Sequence, residues 1–428
     1  MILKKRKEEN LKVLMLGWEF PPFFAGGAGI VCSELSKALI NKGTDILFVM
    51  PSGPENTSSA ENQNLKIVVT NNRFRDVKIR IKRIDSLLHA YATPQSYNQQ
   101  YTQTLNEIKT SQPKTLYGPN LKEEVYRFAE QVKLLAEEEE FDVIHAHDWV
   151  TFPAAIALKQ STGKPLVVHI HITEFDKTGG NHADPDIYSM EREGMLHADK
   201  VITVSNKIKD TCIHNYFIDP SKIHVVHNAA PSMYESQTSI NSKLKDNNKI
   251  VLFAGRVTLQ KGPDYFVDAA KKVLEKAPDT LFILAGSGDM LNQMVEKVAK
   301  LGISNKFIFT GFYTRDQANQ LFEIADVFVM PSVSEPFGLV PYEAQIKGTP
   351  TIISKQSGIG EVLYHTLKVD FWDVNQLANK ILAVLHYKHL HHELKEKGYS
   401  EAKSSTWEGP ATKCLNIYHH LMNNRGVI

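Results

Sequence analysis

The sequence has few cysteines, no excess charge of one sign and no long apolar run near its start. Cys32, Cys212 and Cys414 are far apart and odd in number, which argues against a disulfide framework and a cysteine-based metal site. The 49 basic and 48 acidic residues leave a net charge of +1, so a nucleic-acid partner is not expected. The apolar segment after the basic opening is too short for a signal sequence or a membrane span. We therefore expect a cytoplasmic protein without stable membrane insertion, and the sequence does not indicate its oligomeric state.

The length and the order of elements predict two α/β domains. A chain of 428 residues is long for one core. Apolar strands alternate with amphipathic helices in both halves, whereas the stretch from 231 to 248 is polar and is typical of a linker. We predict a Rossmann-like domain over 1–230, a linker over 231–248, a second Rossmann-like domain over 249–405, and a C-terminal helix over 406–428 that packs back toward the first domain.

A glycine-rich loop follows the first strand. Gly26, Gly27 and Gly29 lie between the strand that ends at Gly17 and a helix predicted from Ile30 to Lys42. Such a loop lets backbone amides approach a phosphate or a sugar closely. The spacing is not the dinucleotide fingerprint, and the same glycines would also serve a tight strand-to-helix turn.

Histidines mark the ends of two later strands. The strand from Val143 to Ala146 delivers His147, Asp148 and Trp149 to the carboxyl edge of the sheet, where a polar pair beside an indole suits a sugar. A packed tryptophan and a hydrogen-bonded core histidine would give the same pattern.

The next strand carries His169 and His171 on one side. We predict His171 as a substrate contact and His169 as a core residue. A metal is not predicted, because no third ligand with zinc spacing follows. The polar segment from Asp176 to His182 is predicted to be a flexible lid.

Charged residues follow two strands of the second half. Arg256 and Lys261 stand at a strand-to-helix connection, where two neighbouring cations suit a shared anion such as a diphosphate, or are an ordinary exposed pair. Glu335 follows the strand that ends at Ser332, and Glu343 lies in the next helix. These acids are placed to reach two hydroxyl-rich groups, although acids also stabilise helix starts.

Taken together, these motifs occur in one order. They are Gly-Gly at 26–27, His-Asp-Trp at 147–149, His171, Ala-Gly-Arg and Lys-Gly within 254–262, and Glu-Pro-Phe-Gly-Leu with a second Glu within 335–343. The chain resembles the retaining glycosyltransferases of family 4 and the related glycogen synthases from about residue 11 to 422. This resemblance implies the GT-B fold, in which two Rossmann-like, doubly wound domains face a central cleft.

The resemblance also implies roles for individual residues. Arg256 and Lys261 would hold the donor diphosphate, Glu343 the nucleotide ribose, and Glu335 and His171 the transferred sugar. The other implied donor contacts are Gly26, Gly27, Phe337, Gly338, Leu339, Ser357 and Gly358. The implied acceptor contacts are His147, Asp148 and Trp149. No metal or other cofactor is implied, since the nucleotide sugar is a substrate.

The implied reaction is transfer of a glucosyl or related hexosyl unit from UDP- or ADP-glucose to a glucan, with retention. ADP-glucose-dependent bacterial enzymes of this type have a Lys-Thr-Gly-Gly-Leu loop, whereas this chain has Phe24-Ala25-Gly26-Gly27-Ala28. The resemblance therefore does not decide whether the donor nucleotide is UDP, ADP or another nucleotide. The alternatives are transfer to a lipid or polysaccharide precursor, epimerisation of a nucleotide sugar, and non-catalytic binding of a sugar nucleotide.

Overall fold

The computed structural model describes residues 10–21, 26–51, 79–84, 86, 88, 93–107, 120–180, 182–232, 245 and 248–423. Two parallel sheets carry this part of the chain. Most of the predicted linker lies outside the described residues, and the boundary at 231–248 stays a prediction.

The first sheet has seven described strands in the order β3-β2-β1-β4-β5-β6-β7, and each neighbouring pair is parallel. The strands are β1 (Lys12–Leu16), β2 (Asp45–Pro51), β3 (Ile79–Ile84), β4 (Val143–His147), β5 (Leu166–Ile170), β6 (Lys200–Thr203) and β7 (Ile223–Val225). The helices are α1 (Gly27–Asn41), α2 (Pro94–Glu107), α3 (Leu121–Ala136), α4 (Phe152–Thr162), α5 (Glu174–Lys177), α6 (Pro185–His197) and α7 (Asn206–His214).

The second sheet has six described strands in the order β10-β9-β8-β11-β12-β13, and it is also parallel. The strands are β8 (Lys249–Ala254), β9 (Thr280–Ala285), β10 (Phe307–Gly311), β11 (Val327–Met330), β12 (Thr351–Ser354) and β13 (Leu367–Val369). The helices are α8 (Pro263–Leu274), α9 (Leu291–Lys300), α10 (Arg315–Ile324), α11 (Val340–Ile346), α12 (Val374–His386), α13 (Lys388–Ser404) and α14 (Glu408–Asn423). The predicted fold class, two doubly wound domains, is confirmed.

The strand order determines where ligands can bind. The order reverses between β1 and β4 in the first sheet and between β8 and β11 in the second. Open parallel sheets bind ligands outside the carboxyl ends of strands at such a reversal. The loops after these four strands contain the Gly26–Gly27 segment, the 147–149 segment, Arg256 and Glu335. These predicted motifs therefore lie at the two reversal points, whereas His171 follows β5, the next strand of the first sheet.

The last helix, α14, packs against the first sheet although it follows the second sheet in sequence. The Tyr418 hydroxyl lies 2.5 Å from His145 Nδ1 on β4. Cys414 and Tyr418 are fully buried in the same core as Val143 and Leu166. Trp407, just before the helix, donates from Nε1 to the Ala230 carbonyl at 2.9 Å. Among the described helices, none has the combination of length and apolarity that crossing a bilayer requires.

Glu361 joins the two domains. Its carboxylate accepts hydrogen bonds from the backbone amides of Asn206 at 2.9 Å and Lys207 at 3.0 Å, and lies 2.7 Å from His227 Nε2. Burial alone would raise the pKa of Glu361, but the hydrogen bonds from His227, Asn206 and Lys207 outweigh it and lower the pKa to about 2. Nearby, Ser205 Oγ donates to the Pro336 carbonyl at 2.7 Å.

We expect Glu361→Ala to destabilise the protein by about 1 to 2 kcal/mol at neutral pH. This is the lower end for hydrogen bonds to a charged group, because the site is partly exposed. The folded-state pKa lies below the ordinary value of 4.5, so this contribution is present above pH 4.5 and is lost as the pH falls toward about 2. Urea midpoints at several pH values measure it. Glu396→Ala, an exposed change on α13, is the control, and an equal loss in both variants would contradict the assignment.

Candidate active site

Glu335 is fixed by both its side chain and its backbone. It is 5% exposed, its carboxylate forms an ion pair with Lys261 Nζ, and its Oε2 accepts from Ser332 Oγ at 3.2 Å. The Glu335 amide donates to the Gln356 carbonyl at 3.1 Å, and the Glu335 carbonyl accepts from the Gly358 amide at 2.9 Å. The acid predicted at the end of β11 is therefore held in one orientation.

The turn after Glu335 requires glycine at position 338. Gly338 has φ of +90°, and a Cβ atom there would lie 3.0 Å from Glu335 Cγ and 3.2 Å from Met330 Cε. Any L side chain would be strained by this backbone and would press on the carboxylate. The glycine thus sets the position of Glu335 as well as the start of α11.

The loop after β8 brings the two predicted cations to the same region. Lys261, in the loop after β8, forms an ion pair with Glu335, in the loop after β11. Arg256 Nη2 donates to Gln260 Oε1 at 3.0 Å, and the Gln260 carbonyl accepts from the Val333 amide at 2.9 Å. The loops after β8 and β11 are thus tied together. Because the Lys261–Glu335 pair is largely buried, removal of either partner leaves an uncompensated charge.

Glu343 lies in α11, on the other side of the same loop. Burial raises its pKa, and the positive charge of Arg315 opposes this rise. The pKa of Tyr313 is raised by burial and by the Glu343 charge. Tyr313, in the connection after β10, and Arg315, the first residue of α10, therefore lie near Glu343. The sequence reading missed both, although they follow a strand end directly, which was the available signal.

The glycine loop of the first domain approaches the second domain. A Cβ atom at Gly27 would lie 4.0 Å from Leu339 Cδ1. Glu19, just after β1, is buried and accepts from the Gly29 amide at 3.0 Å. Burial raises its pKa to about 7, against the opposing effects of the Gly29 and Gly26 amides and the charge of Arg256. Glu19 therefore holds the glycine loop near Arg256, and the sequence reading assigned it no role.

His171 is held by His147 and Asp148, at the end of the neighbouring strand β4. Asp148 Oδ1 accepts from the backbone amide of His171 at 2.8 Å, and His147 Nδ1 lies 2.8 Å from His171 Nε2. Burial lowers the pKa of His171 to about 3, so this imidazole is neutral at physiological pH. His171 directly follows β5, as predicted, and its contact with a substrate stays a prediction.

The predicted acceptor contacts are not available in this structure. His147, Asp148 and Trp149 are each no more than 1% exposed. The backbone of Asp148 has φ of 57°, and the chain turns there so that Trp149 packs edge-on against Trp18 with centroids 6.3 Å apart. The Asp148 carboxylate faces β5 instead of solvent. In this structure all three side chains are buried, and His147 and Asp148 form hydrogen bonds with His171.

Two other expectations also need correction. The predicted lid begins in a capped helical turn, because Thr173 and Asp176 form a capping box. Asp176 is 2% exposed and accepts from Lys207 Nζ at 2.6 Å and from Ser334 Oγ at 2.7 Å, so it is fixed in the domain interface. The start of the segment is therefore not a flexible loop.

In the loop after β12, the amides of Gly358, Ile359 and Gly360 already donate hydrogen bonds within the protein. The amide of Gly358 donates to Glu335 and that of Ile359 to the Phe337 carbonyl at 2.9 Å. The side chains of Phe337 and Ser357 are buried. A donor contact from the Gly358 amide would require its bond to Glu335 to break. In this structure the loop after β12 holds the backbone of Glu335 and Phe337 through these hydrogen bonds.

Two doubly wound domains whose predicted site residues lie near the reversals of strand order are the GT-B architecture. A family model described as Glycosyltransferase Family 4 matches residues 25–231. A second, described as Glycosyl transferases group 1, matches residues 235–401. The chain belongs to the family 4 glycosyltransferases.

Individual relatives agree with this assignment. An uncharacterized glycosyltransferase of Methanocaldococcus jannaschii is 29% identical over 369 residues, which cover 83% of each chain. Glycogen synthase of Mycobacterium tuberculosis is 25% identical over 358 residues, covering 82% of this chain and 80% of that one. The solved sucrose-phosphate synthase of Thermosynechococcus elongatus superposes with a TM-score of 0.74 at 20% identity, covering 97% of this chain and all of the other.

We expect Gly338→Ala to reduce glycosyl transfer at least tenfold and to destabilise the protein by about 1 to 3 kcal/mol. The reason is the strained backbone and the displaced Glu335 carboxylate. Activity and urea midpoint measure the two effects. Gly409→Ala, where a Cβ atom meets nothing within 4 Å, is the matched control and should be neutral or slightly stabilising. Full activity in Gly338→Ala would contradict the position assigned to Glu335.

Proposed function

We propose that the protein is a retaining hexosyltransferase that moves a glucosyl or related unit from UDP- or ADP-glucose to a glucan acceptor. The observation that carries this proposal is the buried Lys261–Glu335 pair beside Arg256, opposite the Gly27 loop of the other domain. Similarity to a glycogen synthase over 82% of the chain supports the glucan as acceptor.

Charge development explains why two cations are needed. Cleavage of the bond between the sugar C1 and the phosphate oxygen leaves the electron pair on the diphosphate and positive charge on the sugar ring. Arg256 and Lys261 act as fixed counter-charges to the leaving diphosphate, a form of stabilisation that grows in the transition state. No metal is then required at the diphosphate. Lys261, already held by Glu335, is positioned before the donor binds.

The environment of Glu335 favours front-face transfer over a covalent intermediate. Its Oε2 pairs with Lys261 Nζ and accepts from Ser332 Oγ, and this neutralising pair makes the carboxylate a weaker nucleophile. In the front-face reaction the acceptor hydroxyl enters on the side from which the diphosphate leaves, so the configuration at C1 is retained. Glu335 then orients the sugar and stabilises positive charge, while neutral His171 serves as a hydrogen-bonding group and not as a charged acid.

Incubation with a panel of nucleotide sugars tests this function. Purified protein is supplied with UDP-glucose, ADP-glucose and other nucleotide hexoses, each with and without glycogen, and nucleoside diphosphate release is followed. We expect glycogen-dependent release from UDP- or ADP-glucose and an α-linked product. Release only with a lipid-linked or small sugar acceptor would reject the glucan but keep the transferase. Absence of release with every donor and acceptor would reject the transferase.

Lys261→Ala should lower kcat about 100- to 1,000-fold, the range seen when one preorganised stabilising group is removed. The donor KM should change much less. Steady-state kinetics with the best donor measure both constants. Lys272→Ala, an exposed lysine on α8, should leave them unchanged. A kcat within threefold of wild type in Lys261→Ala would place the diphosphate elsewhere.

Glu343→Gln should show the opposite pattern. A ribose contact is made equally in the ground state and the transition state, so its loss raises the donor KM with little effect on kcat. We expect a rise of about tenfold, since a hydrogen bond to a charged group contributes roughly 1.5 kcal/mol or more. A fall in kcat at constant KM would indicate that Glu343 contacts the reacting sugar instead.

A further inference from the structure

Four histidines form a buried array behind His171. His145 and His147 lie two residues apart on β4, His169 lies on β5 in register with His147, and His171 directly follows β5. Neighbouring rings stack with centroids 4.3 to 5.4 Å apart. All four are at most 9% exposed.

Most ring nitrogens of this array are unsatisfied. Nε2 of His145, Nε2 of His147 and both nitrogens of His169 have no hydrogen-bond partner among the described residues. A buried polar atom without a partner costs about 1 to 3 kcal/mol, so such groups are rare and call for an explanation. Several such nitrogens close together point to a bound group that accepts one lone pair from each ring.

The geometry selects three of the histidines. One nitrogen each from His145, His147 and His169 lies within 4.8 Å of the other two. In His145 and His147 it is Nδ1 that has a partner, the Tyr418 hydroxyl in one and His171 Nε2 in the other, and Nε2 has none among the described residues. Histidine ligands of metals usually engage their second nitrogen in this way.

We propose that His145, His147 and His169 form a buried site for a divalent transition metal such as Zn²⁺. Three neutral imidazoles, each with a ring nitrogen that has no hydrogen-bond partner among the described residues, are a ligand set that Zn²⁺ and its neighbours prefer. A second grouping, Cys32 with His147 and His171, is also compact, but in it the facing nitrogens of the two histidines are already bonded to each other. The sequence reading found only the His169 and His171 pair because the third ligand comes from another strand.

The ion joins three elements that the sequence separates widely. It connects β4 to β5 directly and, through the Tyr418 hydroxyl, to α14. The site stiffens the support of His171 and is distinct from the diphosphate region at Arg256 and Lys261. It does not depend on the proposed transfer reaction.

The test uses the full chain, stripped by dialysis against a chelator and titrated with Zn²⁺ alone. We expect one tightly bound ion per chain by elemental analysis, a rise in Tm on binding, and a visible Co²⁺ spectrum typical of tetrahedral coordination. His169→Phe keeps a stacked ring without nitrogen and should abolish binding. Tyr418→Phe should weaken binding about 10- to 100-fold, the usual effect of losing a partner of a ligand.

Controls separate this site from surface histidines and from Cys32. The double change His389→Ala and His392→Ala removes two exposed histidines one turn apart on α13 and should leave the affinity unchanged, as should Cys32→Ser. Binding that disappears in either control but persists in His169→Phe would overturn the proposal, as would no stoichiometric binding to the wild type. If His169→Phe does not fold, a zinc-edge anomalous map of the wild-type crystal decides, and a peak anywhere else overturns the proposal.

Discussion

The ion pair between Lys261 and Glu335 is the interaction on which the arrangement of the site depends. It joins the loop after β8 to the loop after β11, across the point where the strand order of the second sheet reverses. Two desolvated charges are tolerated only when they are well paired and hydrogen-bonded, and Glu335 has further hydrogen bonds besides the ion pair. Ser332, the Gln356 carbonyl and the Gly358 amide form hydrogen bonds with Glu335, and a side chain at position 338 would press on the Glu335 side chain.

The contacts between the two domains also lie close to Glu335. Asp176 and Lys207 of the first domain meet Ser334, which is one residue before Glu335. Glu361 binds the first turn of α7, and Ser205 binds the carbonyl of Pro336. The contacts thus converge on residues adjoining Glu335, so the relative position of the domains and the position of the carboxylate are coupled.

The fold and the location of the site could be predicted from the sequence because both follow from local patterns. Runs such as 250–254 and 327–330 are apolar on both faces, as parallel strands require, and the charged residues follow strand ends. The surroundings of each side chain could not be predicted. Nothing local shows that Asp148 turns inward, that the Gly358 amide is used by Glu335, or that Glu19 reaches the glycine loop, because each depends on a residue distant in sequence.

The return of α14 to the first sheet has a consequence for synthesis of the chain. Tyr418 and His145 are separated by 273 residues in sequence yet share one buried contact. The core of the first domain therefore remains open on one side until the last helix has left the ribosome, even though its seven strands have emerged long before.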